Sequence, residues 1–148
     1  LPHNAKANAD EASIVAQIVL RLIENNPDTT VPIGQRIGII VPFRNQISVI
    51  RNTMKSQGID PGNDNITIDT VECFQGSQRD FIIFSTTISR PYQLEILSVP
   101  TEIEGQMIDR KLNVAITRAR LQFFMVGNKK ILSKSPIYEE LINHMETI

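Results

Sequence analysis

Apolar positions along the chain fall into two kinds of pattern, and they alternate. From Asn8 onward, Val15, Ile18, Val19, Leu22 and Ile23 recur at helical spacing, so an amphipathic helix is predicted there. Asn8 followed three positions later by Glu11 has the form of a capping box, and Asn25, Asn26 and Pro27 stop the helix. Residues 36–43, RIGIIVPF, form a continuous β-branched run of the kind that makes a strand buried on both faces. Phe43, Ile47, Ile50 and Met54 then return to helical spacing up to Gly58, so a helix leaves directly from the strand end. A turn region, DPGNDN, precedes a short strand, ITIDTV; FIIFSTTI and LQFFMVGN read as two further buried strands. Between those two, residues 90–105 show no clean period and are expected to be a long excursion. Ser135 and Pro136 make a cap and first-turn pair for a last helix carrying Ile137, Leu141, Ile142 and Met145 on one face.

Strands alternating with helices define an α/β layered fold with a parallel sheet covered on both sides. In such sheets ligands gather at the carboxyl edge of the strands. The loops after RIGIIV, ITID and FIIFS, together with the helix that enters LQFFMV, are therefore the places to look for chemistry.

That last helix ends unusually, in LNVAITRAR. Ile108, Leu112, Ala115, Ile116 and Ala119 form one narrow stripe, and Arg118 falls roughly 100° from its centre, beside Lys111. Such a side chain is anchored at its base and exposed at its tip. A planar guanidinium held this way suits phosphate oxygens, although an arginine at a helix end also serves the helix dipole. Gly76, in TVECFQGSQRD, permits either close backbone approach to a ligand or a tight turn.

Composition narrows the classes. The 148 residues are 41% apolar and 21% charged, sized for one domain, with no run long enough to suggest a membrane span. Formal net charge is −1, so any polyanion site must be local. The single Cys73 excludes an internal disulfide and fits a cytoplasmic location; His3 and His144 have no ligand set or nucleophile spaced around them, and no metal site is expected. The start at Leu1 suggests a piece of a longer protein.

IGIIVPFRNQ, IDTVECFQGSQRDFIIFS and RKLNVAITRARLQFFMVGN, in that order, resemble motifs IV, V and VI of the second RecA-like domain of superfamily 1 DNA and RNA helicases, in the branch that includes the nonsense-mediated-decay helicase. The resemblance covers nearly the whole chain, so residues 1–148 are expected to be one such domain. It implies a three-layer RecA-like sandwich with a mostly parallel central sheet and helices on both faces. It implies ATP-dependent movement along single-stranded or partly duplex DNA or RNA, with Arg118 as the arginine finger. Gly76 and Gln78 would join Arg118 at the nucleotide, and Pro42, Phe43, Gln46, Thr70 and Val71 would line the single-strand track. Gln78 stands where the family carries a Glu near the ribose, and Phe43, which begins a helical stripe, is expected to favour the core over base stacking. ATP and Mg2+ would be held mainly by the first RecA-like domain, whose phosphate loop and acidic motif do not occur in these residues. This chain alone is accordingly expected to be inactive. A non-catalytic nucleic-acid-binding or scaffolding domain derived from a helicase is the alternative.

Overall fold

The structure is a computed structural model and describes residues 8–26, 36–61 and 66–146. Four parallel strands, β1 (Ile37–Ile40), β2 (Thr67–Asp69), β3 (Arg79–Ser85) and β6 (Ala119–Val126), form the central sheet in the order β2-β1-β3-β6. The expected α/β class and three-layer arrangement are what is found. Helices α1 (Ala9–Asn25) and α2 (Asn45–Ser56) cover one face. On the other lie α4 (Arg110–Thr117), α5 (Lys129–Leu132) and α6 (Pro136–Asn143).

Alternation along each strand divides the core. Ile37, Ile39, Phe81 and Ile83 face α1 and α2, whereas Ile40, Ile82 and Phe84 face α4 and α6. Each large aliphatic side chain so buried contributes about 1.5–3 kcal/mol. Val15, Val19 and Leu22 of the α1 stripe are buried, and Ile50 and Met54 of α2 are fully so. The N-cap readings hold at both ends, with Asn8 accepting from the Glu11 N–H at 3.0 Å and Ser135 from the Tyr138 N–H at 3.5 Å, but the capping box is not closed, since the Asn8 N–H donates to Gln46 instead of the Glu11 side chain. Helix α1 ends at Asn25 with Asn26 as its C-cap; Pro27 and residues 62–65 of the turn region lie outside the described residues.

Two expectations change. LQFFMVGN is not buried on both faces: β6 pairs only with β3 among the described strands, and Leu121 is 70% exposed. Hydrophobicity alone does not distinguish an edge strand from a central one. The excursion at residues 90–105 has structure of its own: a 3-10 turn at Pro91–Gln93, a short helix α3 (Leu94–Leu97), and an antiparallel hairpin of β4 (Thr101–Ile103) and β5 (Gln106–Ile108). Three- and four-residue elements are too short to display a period.

Because β1 lies between β2 and β3, the chain must cross a sheet face after β2. Residues 70–78 do this without a long helix, through a 3-10 turn at Val71–Phe74 whose two apolar side chains enter the α4 and α6 core. Gly38 makes room for it: a Cβ there would sit 2.6 Å from a Phe74 ring carbon.

Candidate functional site

The residues expected to contact ligands separate into two groups at opposite edges of the sheet. Gly76, Gln78 and Arg118 come together at the amino ends of β3 and β6. This corrects the expectation that all informative positions lie at the carboxyl edge, since the helix preceding β6 delivers its last turn to that strand's amino end.

Helix α4 starts at Asp109, a buried N-cap that accepts from the Leu112 N–H at 3.0 Å and the Ser98 hydroxyl at 2.8 Å. It ends at Thr117, with Arg118 as C-cap still in helical geometry and donating its backbone N–H to the Val114 carbonyl at 3.1 Å. The Arg118 carbonyl accepts from the Arg79 N–H at 2.9 Å, and the Gln78 side-chain amide donates to the Thr117 carbonyl at 3.2 Å. A register irregularity follows at once, with Ala119 paired to Arg79 but Gln122 to Phe81; such bulges re-aim side chains.

The half-buried Arg118 side chain donates an Nη2 bond to the Thr117 hydroxyl at 3.3 Å, while its Nε is buried with no partner among the described residues. An orphaned charged donor of this kind costs about 1–3 kcal/mol or more until an acceptor arrives. Gly76 has φ 72°, and nothing lies within 4 Å of where its Cβ would be. Its turn therefore favours glycine for backbone conformation, and the space above it is open. An open turn, an exposed amide and an under-satisfied guanidinium at one corner suit an anionic ligand carrying hydroxyls.

Arg79 was not singled out from the sequence. Its guanidinium lies 5.5 Å from the Phe74 ring centroid and donates to the Ser77 hydroxyl and to the Gln78 carbonyl at 3.0 Å, which fixes the turn that carries Gln78. Asp80 orders the same edge, accepting from Arg120 at 2.9 Å and lying 3.8 Å from Arg36.

At the carboxyl edge, Pro42, Phe43, Thr70 and Val71 follow β1 and β2, and the Val41 N–H donates to the Asp69 carbonyl at 3.0 Å. Pro42, Thr70 and Val71 border a cavity of about 20 Å³, room for one water, closed by Leu97 and Tyr138. Burial pushes the Asp69 carboxyl up, but the Thr70 N–H, the Cys73 thiol and Arg44 outweigh it and hold the group below its ordinary range. Phe43 packs as expected, although into the α4 and α6 core rather than with the rest of its stripe. The Val71 side chain is buried, so this residue offers a ligand only its backbone.

Gln46 is a correction. It is fully buried, its carbonyl accepting from the Asn8 N–H at 2.7 Å and its amide donating to the Asn8 carbonyl at 2.8 Å. It offers no surface to a nucleic-acid strand. Glu11 belongs to the same buried cluster, accepting from the Ser85 hydroxyl and the Thr87 N–H, both at 2.9 Å. Burial raises its pKa to about 7 against those two donors. Its place in a capping pattern hid this, because a capping glutamate is ordinarily solvated. Among the described residues, no three His, Cys, Asp or Glu side chains gather to hold a metal ion, and no helix is long and apolar enough to cross a membrane.

A parallel four-stranded sheet layered between helices is consistent with a RecA-like fold. Residues 2–130 match the AAA domain family, and the chain belongs to it. Across 94% of its length the chain is 37% identical to regulator of nonsense transcripts 1 of Dictyostelium discoideum, and across 95% it is 35% identical to the protein of that name from Caenorhabditis elegans. It is also 32% identical, over 97% of its length, to a DNA replication ATP-dependent helicase/nuclease of Arabidopsis thaliana. It is thus a superfamily 1 helicase domain resembling that of the nonsense-mediated-decay helicase. The chain spans 10%, 12% and 10% of the length of these three relatives.

Proposed function

We propose that this chain is the second motor half of an ATP-dependent helicase, completing a nucleotide site formed with a first RecA-like domain and gripping single-stranded DNA or RNA at its opposite edge. The Arg118 Nε, without a partner among the described residues at the end of the helix whose Thr117 carbonyl accepts from Gln78, is the observation that carries the reading. ATP with Mg2+, held mainly by the first domain, supplies the phosphoryl group whose transfer drives the cycle. On this chain, Arg118 is held by its backbone bond to Val114 and presents an always-charged donor to the γ-phosphate. Gln78 gives a ribose hydroxyl a neutral hydrogen-bonding partner, and the Gly76 turn leaves space for it. At the carboxyl edge, Thr70 and the backbone of Pro42 and Val71 contact phosphates without reading sequence, with Phe43 supporting them from the core. The setting is cytoplasmic.

In the full-length protein, Arg118→Ala should lower ATP turnover by about 10³-fold or more while ATP affinity stays within a few-fold. Turnover within tenfold of wild type sinks the finger role. Gln78, which replaces a charged residue of the family pattern, is what favours the other reading, a non-catalytic nucleic-acid-binding or scaffolding domain. Under it, wild-type protein binds oligonucleotide and shows no turnover that Arg118→Ala can remove.

A further inference from the structure

The buried polar cluster of Asn8, Glu11, Gln46, Ser85 and Thr87 lies beneath the carboxyl edge, and nothing in the nucleotide corner uses it. Its connections run in one direction. Glu11 takes hydrogen bonds from the hydroxyl of Ser85, the last residue of β3, and from the N–H of Thr87, two residues further on. Its second oxygen accepts from the Asn8 side chain at 3.3 Å. The backbone of Asn8 is clamped on both its N–H and its carbonyl by the Gln46 amide. Gln46 in turn donates its own backbone N–H to the Phe43 carbonyl at 3.1 Å. A continuous chain of bonds therefore joins β3, the start of α1 and the loop after β1.

Thr87 adds a second observation. Its φ is 62°, a left-handed conformation that β-branched residues rarely adopt, and its N–H is what meets Glu11. Such a conformation persists only where its surroundings over-determine it. Thr87, Ser85, Gln46 and Glu11 are all buried, so the cluster is sealed from competing water. The Phe43 end is half-buried and reaches the surface.

We infer that Glu11 is a positioning residue for strand binding, holding the Pro42–Phe43 loop in its gripping conformation through Asn8 and Gln46. This rests on the motor reading proposed above. Glu11 itself touches neither nucleotide nor nucleic acid; it fixes the Asn8 segment that clamps Gln46, and Gln46 fixes the Phe43 carbonyl.

The test uses full-length protein, a fluorescein-labelled oligo-dT and the corresponding oligo-U, with ATP turnover measured in the absence of nucleic acid. Glu11→Ala should weaken oligonucleotide binding by about tenfold, the effect of losing one to two buried hydrogen bonds, with nucleic-acid-free turnover within about twofold of wild type. Glu11→Gln, which keeps an acceptor for Ser85 and Thr87 but turns a donor towards the Asn8 amide, should recover only part of the loss, to about threefold below wild type. If Glu11→Ala does not fold, Ser85→Ala removes the hydroxyl that donates to Glu11 and accepts from Gln46 at 3.5 Å, and should weaken binding about threefold. Unchanged binding in the folded variants assigns the cluster to packing alone and overturns the inference. So does a parallel fall of binding and basal turnover. Failure of wild-type protein to bind either oligonucleotide overturns the motor reading and this inference together, which is distinguishable from a binding wild type with an indifferent Glu11→Ala.

Discussion

Glu11 carries a consequence for pH that follows from burial alone. Its pKa rises from its ordinary 4.5 to about 7, chiefly because burial penalises the charged form. Among the described residues no ion pair involves it. Between those two values the folded chain keeps a proton that the unfolded chain has released, so stability is fully present below pH about 4.5 and is lost as pH rises towards and through about 7. The loss attributable to Glu11 is on the order of 3 kcal/mol. Asp69 and Glu72 are shifted down, and their contributions have the opposite sign and vary below their ordinary carboxylate range. Denaturant titrations from pH 5 to 8 should show wild-type stability falling with pH and Glu11→Gln nearly flat. A wild-type stability that rises across that interval contradicts the assignment. Gly76→Ala probes the other edge: its φ of 72° strains any side chain although the space is empty, so a loss of about 1 kcal/mol by denaturation is expected.

The elements that were legible in the chain are those long enough to repeat a pattern. Helix α1 shows its stripe over 17 residues and α2 over 12, and both carry the buried positions that the spacing gives. Elements of three or four residues were invisible for the same reason, which is why the hairpin of β4 and β5 read as irregular. That Gly76, Gln78 and Arg118 belong to one candidate corner could be expected from the chain, but not which edge of the sheet holds it, because the route from β2 to β3 depends on strand order. That route is set by Gly38 and Phe74, which read singly as a strand glycine and a core aromatic. Their contact makes a testable pair. Gly38→Ala should destabilise the domain by about 1–3 kcal/mol through overpacking against the ring. Combining it with Phe74→Leu should cost less than the sum of the single changes, since the smaller side chain vacates the space that the new methyl needs. Strict additivity by denaturant titration would show that the crossover does not bear on β1.

On the scale of the whole molecule, the two candidate surfaces lie at opposite edges of the same sheet, one after β1 and β2 and the other before β3 and β6, and residues 70–78 run from one to the other, beginning at Thr70 and ending at Gln78. The nine residues between the two edges are packed through Val71 and Phe74 into the α4 and α6 core and do not form a free loop. Neither surface is complete chemistry. On the proposed motor reading, the Arg118 corner contributes a guanidinium, an amide and a glycine turn, groups suited to orienting a phosphoryl group, with no general base among the three. No cluster of metal-ligating side chains lies among the described residues to hold magnesium. With a formal net charge of −1, the chain also has no global field to gather a polyanion. The chain on its own should therefore show no ATP turnover above background with saturating ATP and Mg2+, with or without oligo-dT. Adding a first RecA-like domain carrying the phosphate loop should produce turnover that Arg118→Ala removes. Turnover by the isolated chain would mean that it holds a complete active site, and the two-domain reading would fail. Turnover in the mixture that persists in Arg118→Ala would leave the two-domain arrangement in place and move the finger to another residue.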